Sequence, residues 1–168
     1  MTRVRALVAV AVAVAALAGC SSGGRRGGDP LLMIPVPDAV VVQTGTVGGL
    51  GTILTDSSGH TLYMFPPDAG SQVKCTGECA GTWPPLVIAA GHQPTGRGAV
   101  NPADLGTIPD PNTGALIVTY GGYPLYRYAG DLTSGVANGQ ALFNDGGPWY
   151  ALSPDMQPVT TTPTGGGS

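Results

Sequence analysis

Residues 116–128 read LIVTYGGYPLYRY, and this stretch sets the predicted fold class. Two runs rich in β-branched and aromatic residues flank Gly121-Gly122, and a Gly-Gly pair between such runs predicts a two-residue β-hairpin turn. Residues 52–65, TILTDSSGHTLYMF, predict a second hairpin with a polar turn at its centre. Residues 51–156 contain no stretch with apolar residues at helical spacing over three turns. We therefore predict an all-β domain.

The same residue pattern follows in both hairpins. In each, a tyrosine on the second strand precedes an aspartate by five positions, and a tryptophan comes later. The matching residues are Tyr63, Asp68 and Trp83 in the first unit and Tyr126, Asp131 and Trp149 in the second. This duplication predicts a small sandwich or a partly open barrel built from two pseudo-repeats. Leu-Gly-Thr-Ile also occurs twice, at 50–53 and 105–108, but its unequal distance from the matching tyrosine leaves the equivalence of the two copies open.

Glycine and proline, with 28 and 16 copies, make up about a quarter of the 168 residues. That fraction reaches the range of low-complexity and disordered chains. Only 10% of the residues are charged, which argues against disorder, and all ten aromatic residues lie between Tyr63 and Tyr150. Glycine and proline are equally dense within residues 51–156, where they mark tight turns between many short strands.

The first twenty residues have the pattern of a bacterial lipoprotein signal. Arg3 and Arg5 form a positive start, residues 6–17 are almost all Ala, Val and Leu, and Leu17-Ala18-Gly19-Cys20 resembles a lipobox. The apolar run is shorter than the ~20 residues that span a membrane, but it suits a secretory signal with ~7–15 apolar residues. We predict cleavage before Cys20 and attachment of acyl chains to this residue. The alternative is an ordinary signal peptide with an incidental cysteine.

Four segments follow along the chain. Residues 1–19 are predicted to be a lipoprotein signal peptide, and residues 20–49 the lipidated cysteine and a flexible tether, in which Val40–Val42 is a candidate first strand. Residues 50–156 form the predicted β domain, and residues 157–168 form a tail that we expect to be disordered.

The charge of the chain excludes one class of partner. The formal net charge is −3 at pH 7, with only seven Lys and Arg residues, and removal of Arg3 and Arg5 makes the mature chain more acidic. A nucleic-acid-binding surface needs clustered basic residues, so we expect no nucleic-acid partner. No second long apolar run follows the signal, so the lipid on Cys20 is expected to hold the protein at the outer face of the cytoplasmic membrane, in the cell envelope.

The segments that carry a family resemblance recur in order through both units. They are Thr61-Leu62-Tyr63 with Asp68, Cys75-Thr76-Gly77-Glu78-Cys79, Trp83-Pro84-Pro85-Leu86, Val118-Thr119-Tyr120, Pro124-Leu125-Tyr126 with Asp131, and residues 149–155. On these residues the chain resembles actinobacterial secreted-repeat lipoproteins with a Tyr-x4-Asp motif, a family of unknown function. The resemblance covers residues 50–156 and implies no catalytic residues.

The Tyr-x4-Asp pairs, Tyr63 with Asp68 and Tyr126 with Asp131, allow two interpretations. In the structural one, a turn brings each carboxylate onto backbone N–H groups, while each tyrosine ring enters the core and its hydroxyl reaches a polar edge. In the functional one, the aspartates are ligands or acid–base groups of a repeated site. Ca²⁺ needs six to eight oxygen ligands, and the spacing around these aspartates does not supply them.

Cys75 and Cys79 are the two remaining cysteines once Cys20 is acylated. In an exported protein an isolated pair of this kind predicts a disulfide that closes a small loop. A redox role would favour Cys-x-x-Cys, and a zinc site would need two more ligands, whereas His60 and His92 are isolated in loop-like sequence. We predict no metal site and no cofactor.

Other candidate sites lack a complete motif. Ser57-Ser58 lies beside His60 without a nucleophile elbow, and the carboxylates are scattered singly. Met64 and Met156 are possible copper or haem ligands with the histidines, but packing explains them more simply. The aromatic residues that form either a sugar-binding platform or a core are Trp83, Trp149, Tyr123 and Tyr128. We assign no catalytic residues.

These observations favour a non-enzymatic binding or interaction module over an enzyme. We predict a lipid-anchored monomer that binds an unidentified partner in the cell envelope. One alternative is an accessory protein in envelope redox or metal chemistry. Another is a cell-wall hydrolase.

Overall fold

The computed structural model describes residues 35–69 and 72–161, all within the compact unit Ile34–Ser168. The predicted signal peptide and the predicted lipidation site, Cys20, lie outside the described residues. No helix in the described part of the chain is long and apolar enough to cross a membrane.

The regular secondary structure of the described residues is mostly strand with very little helix, which confirms the all-β prediction. The strands are β1 (Val41–Thr46), β2 (Thr52–Asp56), β3 (Tyr63–Met64), β4 (Val87–Ile88), β5 (Thr95–Gly96), β6 (Leu105–Pro109), β7 (Leu116–Tyr120), β8 (Tyr123–Pro124), β9 (Phe143–Asn144), β10 (Gly147–Pro148) and β11 (Tyr150–Ala151). The helices are α1 (Glu78–Thr82) and 3-10 turns at Pro66–Asp68 and Pro102–Asp104.

These strands form small sheets, and within residues 35–69 and 72–161 the sheets do not close into a barrel. One sheet has the order β2-β1-β5, in which β1 is antiparallel to β2 and parallel to β5. A second has the order β4-β7-β6, and β8 also pairs with β7. β3 pairs with β11 and β9 with β10, both antiparallel.

Both predicted hairpins are present. In the second, Thr119 lies opposite Pro124 and Tyr120 opposite Tyr123. Gly121 and Gly122 both have positive φ angles, 57° and 83°, as a two-residue turn of this type requires and as side chains with a Cβ resist. In the first hairpin, Thr55 bridges Thr61, and the carboxylate of Asp56 accepts hydrogen bonds from turn N–H groups.

The two halves of the domain repeat the same strand pairing. Thr44 of β1 lies opposite Leu54 of β2, and Thr107 of β6 lies opposite Val118 of β7. β6 is therefore the counterpart of β1, and the two Leu-Gly-Thr-Ile copies are not equivalent, because 50–53 enters β2 whereas 105–108 lies in β6.

The folded domain begins before residue 50, which corrects the predicted tether boundary. Residues Val41–Thr46 form β1 along the whole of β2, and Val42 is fully buried. The predicted tail also begins inside the fold, because the N–H of Val159 donates to the carbonyl of Ala151 at 2.8 Å. The candidate strand Val40–Val42 overlaps β1, but the Thr and Gly residues that follow it, like the Pro and Thr residues around Val159, have the composition of linkers.

Each half is completed by a segment that follows the tryptophan of the other. The N–H of Leu86, which follows Trp83, donates to Leu125, and the N–H of Val118 donates to Leu86, both at 2.8 Å. In the other half, Leu152 follows Trp149 and makes the same pair of contacts with Leu62 and Leu54. Neither repeat has its full set of strands without the other, so we expect the two to fold as one unit.

The core has two parts. The aliphatic part contains Val42, Leu54, Val118 and Leu125 and is covered by the long strands. The aromatic part is built around side chains that are at most 1% exposed, namely Tyr63, Phe65, Trp83, Tyr126 and Trp149. Both parts take residues from both repeats, so the two halves share one continuous interior.

Candidate functional site

The two motif tyrosines face each other across the centre of the domain. The N–H of Tyr63 donates to the carbonyl of Tyr126 at 2.8 Å, and the reverse bond is 3.0 Å. The hydroxyl of Tyr63 donates to Oδ2 of Asp131 at 2.7 Å, and that of Tyr126 donates to Oδ2 of Asp68 at 2.6 Å. Each tyrosine therefore binds the aspartate of the other repeat, and we call this pair of contacts the crossed Tyr–Asp pairs.

Each aspartate is held in a turn by backbone groups. Oδ1 of Asp68 accepts the N–H of Lys74 at 2.6 Å, and Oδ1 of Asp131 accepts the N–H of Asn138 at 2.8 Å. The structural interpretation of the motif predicts these hydrogen bonds, since in it a turn brings each carboxylate onto backbone N–H groups. The tyrosine hydroxyls differ from that interpretation, because they lie in the buried interior and not at a polar edge.

Burial controls the ionisation of the crossed pairs. It raises the pKa of Asp68 and Asp131 above the ordinary 3.8, although the hydrogen bonds from tyrosine and backbone donors oppose the shift. Burial and the neighbouring carboxylate also raise the pKa of Tyr63 and Tyr126. The phenols thus stay protonated donors, and the carboxylates serve as their acceptors.

The two tryptophans form the centre of a four-ring stack. Trp83 and Trp149 are parallel, with ring centroids 4.0 Å apart and an interplanar angle of 1°. Phe65 stacks on Trp149 at 4.3 Å, and Tyr128 packs on Trp83 at 4.5 Å. We call Phe65, Trp149, Trp83 and Tyr128 the aromatic stack.

The motif tyrosines contact this stack edge-on. The ring of Tyr63 lies 5.4 Å from Trp83, and that of Tyr126 lies 5.1 Å from Trp149, both in T-shaped geometry. The aromatic stack and the crossed Tyr–Asp pairs therefore follow the same approximate two-fold symmetry. Each aromatic pair in these geometries stabilises the fold by about 0.5–1.5 kcal/mol beyond the stabilisation that comes from burying its apolar surface.

Cys75 and Cys79 form the predicted disulfide, next to the turn that holds Asp68. Both cysteines are buried, and Cys79 lies in α1. The second repeat has no cysteine at this place, so the disulfide belongs to the first repeat alone.

An open pocket of about 360 Å³ lies beside Asp131. It is lined by Asp56, Ser58, His60, Pro84, Arg127, Tyr128, Ala129 and Asp131, and we call it the polar pocket. Nε of Arg127 donates to Oδ2 of Asp56 at 2.7 Å. Oδ1 of Asp56 accepts the N–H groups of Ser58 and His60 at 2.8 and 3.0 Å. Tyr128 links the polar pocket to the aromatic stack.

The equivalent place in the other half is closed and apolar. Thr55 pairs with Thr61 as Thr119 pairs with Pro124, so Asp56 corresponds to Tyr120 and His60 to Tyr123. By the pairing of the later strands, Arg127 corresponds to Met64 and Pro84 to Tyr150. The counterparts Met64, Tyr120, Tyr123 and Tyr150 all pack in the aliphatic core, and we call them the apolar corner.

The structure separates the remaining candidate ligands. His92 lies 3.8 Å from Asp38 in an exposed pair, whereas His60 lines the polar pocket. Met64 is buried, Met156 packs against the aliphatic core, and the predicted platform residues Trp83 and Trp149 are fully buried. Residues 35–69 and 72–161 hold no group of three or more His, Cys, Asp or Glu side chains that could bind a metal ion.

Sequence reasoning missed the ion pair between Asp56 and Arg127, two of the residues that line the polar pocket. These residues are 71 positions apart, so no local pattern connects them. A signal was nevertheless present in the repeat. When the two units are aligned on Tyr63 and Tyr126, an arginine stands in the second where the first has Met64.

Of the comparisons with known proteins, only the one with protein families finds a match. No curated protein and no solved structure matches the chain. Residues 46–87, from the end of β1 to the first residue of β4, match a protein family described as a secreted repeat of unknown function. This segment contains the first Tyr-x4-Asp motif, the disulfide and Trp83. The predicted resemblance to secreted-repeat proteins of unknown function is therefore confirmed for residues 46–87.

Proposed function

We propose that the protein is a lipid-anchored, extracytoplasmic binding module whose ligand site is the polar pocket. One observation carries this proposal, namely the difference between the polar pocket and the apolar corner. The same fold position is filled by packed aromatic and aliphatic side chains in one half and left open and polar in the other. Because core side chains fill this position in one half, the stability of the fold does not require the position to stay open in the other half.

The exposed groups of the polar pocket define the ligand chemistry. Arg127 carries five N–H donors, and its Nε is bound to Asp56 while its side chain stays 44% exposed. Ser58 and His60 add polar groups, and the ring of Tyr128 with Pro84 adds an apolar wall. This combination suits a ligand with a carboxylate beside an apolar or sugar face. We propose a carboxylate-bearing fragment of the cell wall.

The carboxylates of the polar pocket support binding over catalysis. Asp56 is occupied by Arg127 and two backbone N–H groups, and Asp131 by Tyr63 and the N–H of Asn138. A general acid or base must be within reach of the proton it transfers, and here each carboxylate already serves a structural contact. We therefore favour a non-enzymatic role over a cell-wall hydrolase.

The extracytoplasmic location of the protein and its proposed lipid anchor are supported by different observations. The family description implies an extracytoplasmic location. The lipid anchor at the outer face of the cytoplasmic membrane rests on the sequence of residues 1–20 alone. Replacement of Cys20 with Ala is expected to abolish labelling by radioactive palmitate and to release the protein from membranes. A Cys20→Ala protein that stays labelled would contradict the anchor.

Ligand titration tests the binding site. We expect soluble muropeptides to shift the tryptophan fluorescence of the full chain saturably, because Tyr128 packs on Trp83. Arg127→Met, which copies the counterpart residue Met64, should weaken this binding at least tenfold. Arg97→Met is the matched control, since Arg97 is exposed and does not line the polar pocket. Binding that survives Arg127→Met, or an absence of saturable binding, would refute the proposed site.

A further inference from the structure

We infer that the aromatic stack conducts a one-electron oxidation from the polar pocket to the crossed Tyr–Asp pairs, where a neutral tyrosyl radical is held. This activity does not require the polar pocket to bind the proposed ligand. It requires an oxidant of a stated class, a one-electron acceptor such as an oxygen-centred radical, that reaches Tyr128.

The stack provides a continuous path of oxidisable rings. From Tyr128, the ring of Trp83 is 4.5 Å away, and that of Trp149 is 4.0 Å further, centroid to centroid. Tyr63 meets Trp83 at 5.4 Å and Tyr126 meets Trp149 at 5.1 Å. Tyrosine and tryptophan are the side chains most easily oxidised by one electron after cysteine, and neighbouring rings at these distances exchange electrons rapidly.

The hydrogen bonds of the rings determine which residue holds the radical. The indole N–H groups of Trp83 and Trp149 are buried and have no acceptor within the described ranges. An oxidised indole there keeps its proton and remains a strong oxidant. Tyr63 and Tyr126, by contrast, already donate to carboxylates at 2.7 and 2.6 Å. Among the fully buried rings, loss of the phenol proton is therefore coupled to loss of the electron at Tyr63 and Tyr126.

The step balances within one crossed pair. Tyr63 gives one electron to oxidised Trp83, which is restored, and the oxidant has gained that electron through Tyr128. The O–H bond of Tyr63 breaks, its proton forms an O–H bond with Oδ2 of Asp131, and the carboxylate becomes a neutral acid. Tyr126 and Asp68 offer the same step from Trp149. Burial favours the neutral acid, as the raised pKa of both aspartates indicates.

Flash photolysis of the full chain tests the inference. Photogenerated tris(bipyridine)ruthenium(III) supplies the one-electron oxidant, and electron paramagnetic resonance identifies the radical. We expect a tryptophan radical that converts into a neutral tyrosyl radical, and a slower conversion in D₂O because the proton moves with the electron. A conversion without an isotope effect would overturn the inference, and this measurement needs no variant.

Two matched double variants assign the radical. Tyr63→Phe with Tyr126→Phe should abolish the conversion of the tryptophan radical into a tyrosyl radical and its dependence on D₂O, although Tyr128 at the polar pocket can still be oxidised directly. Tyr120→Phe with Tyr150→Phe removes two tyrosines outside the stack and should leave that conversion unchanged. Circular dichroism establishes that both variants are folded. A D₂O-dependent conversion that persists in the first variant, or that disappears in the second, would overturn the inference.

Discussion

The polar pocket and the apolar corner occupy equivalent places in two halves of one domain, yet the residue differs at each of the four positions that correspond. Where Met64 and Tyr120 pack in the aliphatic core, their counterparts Arg127 and Asp56 form an ion pair that lines the open polar pocket. The crossed Tyr–Asp pairs, by contrast, are nearly the same in both halves. Duplicated residues thus maintain the fold, and the residues that differ between the halves are free to take on function.

Truncating the shared aromatic stack should have the largest effect, and it should be nearly equal in the two halves. Trp83→Ala and Trp149→Ala each remove a fully buried ring and leave a cavity. We expect each to lower the free energy of unfolding by about 3–5 kcal/mol. Urea denaturation followed by circular dichroism measures both values. A loss confined to one of the two tryptophans would show that the repeats do not share the stack equally.

A double-mutant cycle tests the crossing of the pairs. Tyr63→Phe combined with Asp131→Asn should show a coupling energy of about 0.5–3 kcal/mol, because these side chains share a buried hydrogen bond. Tyr63→Phe combined with Asp68→Asn should show a coupling near zero, since Asp68 binds Tyr126. Coupling within one motif and none across the repeats would contradict the crossed arrangement.

The buried carboxylates predict a pH dependence. Burial raises the pKa of Asp68 and Asp131 in the folded state above 3.8, so the folded protein binds more protons than the unfolded chain in the window above that value. The contribution of these two groups to stability is therefore greatest at and below about pH 4 and is lost as the pH rises through the folded pKa.

Variants isolate that contribution from those of the other carboxylates. The stability difference between wild type and Asp68→Asn with Asp131→Asn, measured by urea denaturation at several pH values, should shift in favour of the wild type as the pH falls. A difference that stays constant, or that shifts toward the variant at low pH, would contradict the assigned direction.

The smallest stability change is expected at the polar pocket. Arg127→Met converts one position to its counterpart in the apolar corner and removes an ion pair whose arginine is half-exposed and whose aspartate, Asp56, is buried. We expect a change of about 1 kcal/mol in the free energy of unfolding, because water solvates the half-exposed guanidinium and Asp56 keeps the hydrogen bonds from the N–H groups of Ser58 and His60. Met64→Arg, the reverse exchange in the buried apolar corner, should cost several times more, since it buries an unpaired charge. Equal losses of stability for Arg127→Met and Met64→Arg would contradict the assigned difference between the open polar pocket and the buried apolar corner.

Several features were predictable because they depend on near neighbours in the chain. The Gly121-Gly122 turn, the flanking strands and the Cys75–Cys79 disulfide involve residues within a few positions of one another. The duplication was equally visible. The two ends of the folded domain were harder to predict. β1 and the segment around Val159 are short, and only their hydrogen bonds to β2 and Ala151 distinguish them from linkers.

The sequence by itself determined the strand-forming segments, the disulfide and the existence of two similar units, because alternation, turn residues and spacing act over a few residues. Only the tertiary structure decided that Tyr63 binds Asp131 and not Asp68, and that Arg127 reaches Asp56. The physical reason is that each unit lacks strands that the other supplies, so its polar side chains find their partners only after the two halves have packed together.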